Sequence, residues 1–235
     1  MRANTPRFLR IAGCTILALI LGAGCIDFQE SILIKPDGSG MIGLQYSVDE
    51  QLAGGLAEVR KTVDEWQTGA ALAEKGKALW IGGESAARKY FAGDGITVNH
   101  YAVATTDGRS TVQIVCDVAD VQKALATGKF GNLTLARNDH GDFDLRADLP
   151  DSSGRPSADD ARSEQFKALT RGLKLAFRVQ TPTAILSAAG ATLKEKENRA
   201  DWLFDAATDD SFLRKMPRIE LVFSGTGLDW DKKTP

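Results

Sequence analysis

Short stretches in which apolar and polar residues alternate constrain the fold more than any other feature of this sequence. The clearest is LKLAFRVQ at 173–180, which places four apolar residues on one face of an extended chain, namely Leu173, Leu175, Phe177 and Val179. Similar stretches recur, and short runs of Gly, Asp, Asn or Pro join them in pairs. Strands joined by tight turns pair antiparallel, whereas parallel strands need a long crossover. We therefore predict an α+β fold with a largely antiparallel sheet, built from hairpins, and helices packed on one face.

Turn chemistry and alternation together predict where the strands lie. Three hairpins are expected, over residues 28–48, 95–118 and 132–149. The first of them turns through Pro36, Asp37, Gly38, Ser39 and Gly40. Alternation predicts further strands at 173–180, 184–194, 200–205 and 218–223.

Helical spacing accounts for the intervals between these strands. A stripe of apolar residues three and four apart predicts a long helix from Leu52 to Trp66. Shorter helices are expected near residues 85–91, 119–126, 159–171 and 209–215. With 235 residues, of which 43% are hydrophobic, the chain can bury a real core. We predict a single domain over 25–235, and the loop at 150–158 is where composition suggests an internal boundary.

The N-terminus has the layout of an export signal. Residues 1–10 carry three arginines and no acid, residues 11–24 are uncharged and apolar, and Cys25 follows. The apolar run is short for a membrane-spanning helix, which needs about 20 residues. We therefore predict a signal peptide over 1–24, cleaved between Gly24 and Cys25. An uncleaved membrane anchor is the alternative.

The residues before the cleavage point resemble the lipobox of bacterial lipoproteins, since Gly22, Ala23 and Gly24 immediately precede Cys25. The resemblance implies that the Cys25 thiol is acylated, with palmitate among the attached chains, and that Cys25 becomes the mature N-terminus. It places the protein in the cell envelope, on the periplasmic or other extracytoplasmic side. Because Ile26, and not aspartate, follows the cysteine, the outer membrane is favoured if the host has two membranes.

Two ends of the chain also resemble the LppM-like family of bacterial lipoproteins. In that family the acylated cysteine runs into a strand, an Asp-Gly-Ser-Gly hairpin and a second strand, as do Cys25, residues 37–40 and residues 46–48 here. A later glycine, asparagine and strand tryptophan match Gly190, Asn198 and Trp202. The resemblance implies an α+β envelope domain with a non-enzymatic role, in contact with lipid or glycolipid.

Charge argues against nucleic acid as a partner. The formal charge is −2, and loss of the three arginines in residues 1–24 makes it about −5 in the mature chain. Nucleic-acid binding depends on Lys and Arg that neutralise phosphates. The chain also lacks a polybasic patch that would draw it to anionic lipid. We expect it to reach the membrane through its lipid anchor.

Residues suited to catalysis are few. His100 and His140 are the only histidines, and no nucleophile or phosphate-loop motif occurs. Alternation predicts that His100 shares a buried or half-buried face with Ile96 and Val98, and that Cys116 is a buried small hydrophobe. We therefore predict no enzyme, no catalytic residues, no metal site and no cofactor.

Three functions follow from this sequence. The leading hypothesis is a lipid-anchored, non-catalytic envelope module that binds an apolar ligand, a lipid or an envelope protein, and a large apolar pocket under the sheet would favour it. The second is an assembly accessory without a small-molecule site, which one exposed apolar patch would favour. The third is a hydrolase with two carboxylates facing each other across a cleft.

Overall fold

The computed structural model describes residues 26–49, 83–147, 172–214 and 218–230. Several predicted features lie outside the described residues: the signal peptide and Cys25, the helix from Leu52 to Trp66, the loop at 150–158, and the helix near 159–171.

The described residues form mostly strands. These are β1 (Ile26–Ile34), β2 (Gly40–Asp49), β3 (Ile96–Thr106), β4 (Arg109–Val118), β5 (Leu133–Arg137), β6 (Phe143–Ala147), β7 (Lys174–Gln180), β8 (Ile185–Ala188), β9 (Thr192–Lys194), β10 (Arg199–Asp205) and β11 (Ile219–Phe223). The helices are α1 (Gly83–Phe91), α2 (Val121–Ala126) and α3 (Ser211–Arg214), with a 3₁₀ turn at Glu195–Glu197. The three expected hairpins are confirmed within two residues at each strand end.

The strands form two sheets. The large sheet has the order β3-β4-β2-β1-β7-β10-β9, and the small sheet has the order β5-β6-β11-β8. The α+β prediction holds in outline, but the large sheet is mixed, because β1 pairs with β7 in parallel. Turn chemistry predicts only which sequence neighbours pair, and the roughly 140 residues between Ile34 and Lys174 are more than a parallel crossover needs. The prediction that helices cover one face of the sheet is also wrong in part. In the described residues, a second sheet packs against the large sheet together with α1 and α2.

Side chains between the two sheets form the main core. The face of the large sheet that points to the small sheet is called the inner face here. Along β1 and β2 it carries Ile32, Ile34, Ile42 and Leu44, all buried. These residues form one hydrophobic cluster with buried side chains of the small sheet, among them Leu133, Leu135, Phe143, Leu145, Ile219, Leu221 and Phe223. The two sheets therefore share one hydrophobic interior.

The β1–β2 turn is held by a tryptophan from the far end of the chain. Gly38 has φ 76°, and the Trp230 ring lies 3.2 Å from the position that a Cβ on Gly38 would take. The Trp230 indole N–H donates to the Pro36 carbonyl at 2.9 Å. Ser39 donates to the Asp37 carboxylate from its backbone N–H (3.0 Å) and its hydroxyl (2.6 Å). The Trp230 side chain therefore covers the β1–β2 turn at this end of the large sheet.

A bulge in β3 overturns the expected position of His100. Val98 pairs with Cys116, but His100 pairs with Val115, so Asn99 is an extra residue in β3. The Asn99 amide donates to the Asp117 carboxylate at 2.9 Å. One extra residue moves every later side chain to the opposite face. His100 is consequently exposed and does not share the face of Val98.

Cys116 is buried in the core, as predicted, and is a free thiol. Burial, and then the charge of Asp117, raise the pKa of this thiol to about 12. A thiol held in its neutral form packs as a small hydrophobe and is a poor nucleophile.

The region predicted as strand at 184–194 is split between the sheets. β8 belongs to the small sheet and β9 to the large sheet, and Gly190 lies between them with φ 71°. Asn198 is also left-handed, with φ 47°, where the chain enters β10. The Trp202 indole N–H donates to the Ala189 carbonyl at 2.8 Å. Gly190, Asn198 and Trp202 thus shape the corner where the chain changes sheets.

Candidate ligand-binding site

The most unusual side chain on the inner face is a glutamate. Alternation along β1 places Phe28, Glu30, Ile32 and Ile34 on that face. Glu30 is only 4% exposed. Its Oε1 atom has no hydrogen-bond partner in the described part of the chain. Leaving a buried polar atom without a hydrogen bond costs about 1–3 kcal/mol, so this position needs an explanation beyond stability.

Apolar residues surround Glu30 on the sheet. Leu44 on β2 and Phe177 on β7 lie directly opposite it in the two strand pairings. Phe28 and Ile32 flank it along β1. Burial raises the pKa of Glu30 to about 8. The carboxyl group is therefore mainly protonated and neutral at pH 7, and it can donate one hydrogen bond and accept others.

Glu30 borders a row of aromatic side chains that crosses four strands of the large sheet. Ring centroids are 5.1 Å apart for Tyr46 and Phe28, 5.8 Å for Phe28 and Phe177, 6.4 Å for Phe177 and Phe204, and 5.8 Å for Phe204 and Phe212. We call these five residues the aromatic row. Phe212 is buried, and the other four are half-buried.

The aromatic row lies at the end of the sheet opposite the turn that Trp230 closes. β1 begins and β2 ends there, since Ile26 pairs with Val48. Leu175, Ala206 and Phe212 form a small core cluster of their own at this end, and Phe28, Phe177 and Phe204 pack against it. Phe28 is three residues after Cys25 in the sequence. The row is therefore the part of the inner face closest along the chain to the predicted anchor.

Tyr46 shares an electrostatic environment with Glu30. Tyr46 and Phe28 are paired across β1 and β2, which puts Tyr46 diagonal to Glu30 on the same face. Burial, followed by the negative charge of Glu30, raises the pKa of the Tyr46 phenol. Both groups are thus neutral at pH 7, and this part of the inner face carries polar atoms without net charge.

The outer side of this end carries an ion pair. Arg109 on β4 donates to the Asp27 carboxylate at 2.8 Å, and both side chains are partly exposed. This contact ties the first residues of β1 to the neighbouring hairpin across β2. The start of β1 is therefore anchored to the sheet immediately after the predicted lipidation site.

A shallow groove of about 350 Å³ lies on the other sheet. It crosses the face of the small sheet that points away from the core and is lined by Asp144, Arg146, Ser187, Glu220 and Val222, among others. Asp144 is paired with Arg146 at 2.9 Å and accepts from Asn138 at 2.8 Å. The groove is open and has both charged and apolar lining residues, and it is not the large apolar pocket under the sheet that the leading hypothesis calls for.

The predicted site residues Gly24 and Cys25 lie outside the described residues, so lipidation and cleavage stay predictions. Sequence reasoning missed Glu30. The signal was present, because Glu30 interrupts an otherwise apolar set at alternate positions, formed by Phe28, Ile32 and Ile34.

Two features are absent from the described residues. No group of three or more His, Cys, Asp or Glu side chains that would suit a metal ion occurs in residues 26–49, 83–147, 172–214 and 218–230. Within those same ranges, no helix combines the length and the apolar character needed to cross a membrane.

Comparison with solved structures shows a weak structural similarity. No protein-family model matches the chain, and no curated protein matches it either. The fold is similar to the NMR structure of the folded domain of LppM from Mycobacterium tuberculosis, with 12% sequence identity and a TM-score of 0.40. The match covers 84% of this chain and 88% of that domain. A similarity this low supports no conclusion about function.

Proposed function

We propose that this chain is a lipid-anchored, non-catalytic module of the cell envelope that binds an acyl chain of a membrane lipid along the aromatic row. The anchor rests on the signal layout of residues 1–24 and on Cys25. The observation that carries the binding function is the aromatic row itself, a half-buried apolar strip that includes the start of β1.

The anchor places this strip near lipid. Three extended residues from Cys25 to Phe28 span only about 10 Å. Each buried CH₂ of an acyl chain contributes about 0.8 kcal/mol, so two or three chains hold the protein firmly on the membrane. The mature charge of about −5 gives no attraction to anionic lipid. The short tether is therefore what keeps the aromatic row at the bilayer.

The chemistry of the row suits an acyl chain. Aromatic side chains offer large apolar surfaces at little cost in conformational entropy. The row crosses β2, β1, β7 and β10, and three strand spacings of about 4.8 Å give it a length of roughly 14 Å. A narrow apolar strip of this length matches a flexible hydrocarbon chain.

A second candidate function is binding of another envelope protein. Val103 on β3 is 58% exposed, and β3 is the outermost of the described strands at its end of the large sheet. An exposed edge strand is a template for pairing with an extended segment of another protein.

Two neighbouring residues of β10 make a matched test of the lipid-binding function. Phe204 belongs to the row, whereas Leu203 points to the opposite face and is 68% exposed. The full-length protein, purified from membranes with its anchor, is examined by native mass spectrometry for lipid retained beyond the covalent acyl groups. We expect Phe204→Ala to lower the retained lipid about tenfold, equivalent to about 1.4 kcal/mol, and Leu203→Ala to leave it unchanged.

Equal lipid retention by both variants would show that the row is only a structural cluster. Photo-crosslinking with a diazirine-labelled phospholipid provides an independent measurement. We expect labelled peptides from β1, β7 and β10. Labels confined to β3 would favour a membrane contact at the sheet edge and would overturn the proposed site.

A further inference from the structure

The unpartnered carboxyl of Glu30 suggests what the bound lipid must contain. The side chain is more than nine-tenths buried, and Oε1 has no hydrogen bond to any described residue. In folded proteins the large majority of buried polar side-chain atoms are hydrogen-bonded. A bound ligand that supplies the missing partner would account for this exception.

The surroundings of Glu30 limit the chemistry of that partner. Leu44, Phe177, Phe28 and Ile32 have no polar side-chain atoms, so none of them can satisfy the carboxyl. Tyr46, diagonal to Glu30, has a hydroxyl group, but Oε1 makes no hydrogen bond to it. A phosphate group would lose its hydration in these surroundings and would gain no positive counter-charge from a carboxyl group. An ammonium group would gain a counter-charge only by ionising Glu30, and the resulting ion pair would be desolvated among apolar side chains. A neutral hydrogen-bonding group is therefore the suitable partner.

An acyl chain lying along the row carries one such group. Where the hydrocarbon ends, an ester-linked lipid has a carbonyl oxygen, which accepts hydrogen bonds and has no charge. Glu30 is paired directly with Phe177 and is two residues from Phe28 on β1, so it lies beside the two central rings of the row. Its protonated carboxyl would donate to that oxygen, and Oε1 would no longer lack a polar partner.

We propose that Glu30 is a specificity-determining contact that donates a hydrogen bond to the ester carbonyl of a bound glycerolipid, so that the protein selects ester-linked over ether-linked chains. This inference rests on the proposed lipid-binding function. It adds that the bound lipid has ester-linked chains and that Glu30 recognises the ester group.

The test compares two probe lipids that differ only in the carbonyl groups. Full-length protein is equilibrated with equal amounts of a diacyl phosphatidylcholine and its dialkyl ether analogue of the same chain length. Native mass spectrometry then gives the ratio of retained ester lipid to retained ether lipid. One hydrogen bond in an apolar site predicts a preference of about five- to tenfold for the ester lipid at pH 7.

Three variants separate this contact from general packing. E30Q keeps a neutral donor and acceptor and should keep the ester preference, whereas E30L should lower the ratio to about one while total retention persists. Glu220→Leu, on the exposed face of the small sheet, is the control for loss of a carboxylate and should behave as the wild type. If E30L does not fold, as judged by circular dichroism, a pH comparison decides instead. Raising the pH from 7 to 9.5 should abolish the preference in the wild type and leave it intact in E30Q.

The outcomes distinguish the two proposals. Equal retention of ester and ether lipid by the wild type would overturn the role of Glu30 and leave lipid binding by the aromatic row in place. An ester preference that persists in E30L, or in the wild type at pH 9.5, would also overturn it. Retention of neither lipid by the wild type would refute the lipid-binding function and this inference together.

Discussion

Replacing Glu30 with glutamine should change how the stability of the fold depends on pH. Burial raises the pKa of Glu30 from 4.5 to about 8 in the folded protein. The folded state therefore holds a proton that the unfolded state releases over the window from about pH 4.5 to 8. Stability is greatest below that window and falls as the pH rises through it, because ionisation favours the unfolded chain.

The size of the effect follows from the shift. One pKa unit corresponds to 1.36 kcal/mol, so the free energy of unfolding should fall by about 3–4 kcal/mol between pH 5 and pH 8 on account of Glu30 alone. Glutamine has the size of the protonated glutamate and does not ionise. E30Q should remove this slope and be more stable than the wild type at pH 8 by a similar amount.

The ion-paired carboxylate of Asp201 acts outside this window. Burial opposes ionisation of Asp201, but its hydrogen bonds and charge contacts with Arg178 and Arg199 lower its pKa below 3.8 overall. Its contribution is present above pH 4 and is lost as the pH falls through its lowered pKa. The slope between pH 5 and 8 therefore separates Glu30 from this ion-paired carboxylate.

The measurement is urea unfolding of the full chain in a mild non-ionic detergent at pH 5, 6, 7 and 8. Tryptophan fluorescence reports the transition, because Trp202 and Trp230 are buried in the core. Parallel pH slopes for wild type and E30Q would show that Glu30 is ionised in the folded state and would refute the reasoning. A smaller slope in E30Q, with an unchanged m-value, would support it.

Three further predictions concern the anchor, the tether and the closed end of the sheet. Cys25→Ala should abolish incorporation of labelled palmitate, and labelling of the variant would contradict this. If the host has two membranes, fractionation should place the wild type in the outer membrane, and recovery in inner-membrane vesicles would contradict that. About 20 Gly/Ser residues inserted between Cys25 and Ile26, ahead of β1, give a flexible reach of roughly 25 Å. The insertion should abolish lipid capture by the aromatic row without changing the melting temperature. Full retention of lipid by the insertion variant would favour the protein-binding function. Trp230→Phe should lower the free energy of unfolding by about 1 kcal/mol through loss of the bond to the Pro36 carbonyl, measured by urea unfolding, and an unchanged value would mean that water replaces that bond.

Local features of the sequence were sufficient to predict most elements. Hairpins and alternation depend on residues a few positions apart, so β1, β2, β4 and β7 and the helix at 121–126 were predicted within two residues of their observed ends. The anchor was predicted in the same way, because a signal peptide is a property of a continuous segment. The signal peptide and Cys25 stay predictions, since the structure describes neither.

Only the tertiary structure decided how distant segments meet. Nothing local requires β7 to pair with β1 in parallel, or β8 and β9 to join different sheets on either side of Gly190. The extra residue at Asn99 reversed the faces of β3, because one inserted residue changes the side of every residue after it.

The candidate site shows the same division. Glu30 is visible in the sequence as an acid within an apolar alternation, but its isolation depends on Leu44 and Phe177, which lie 14 positions and about 150 positions away in the chain. The aromatic row likewise draws on β2, β1, β7, β10 and α3. The sequence by itself determined the strands and the predicted anchor, because turn and pattern signals are local. Packing between distant segments decided the burial of Glu30 and the continuity of the row, because desolvation depends on every neighbour that the fold brings together.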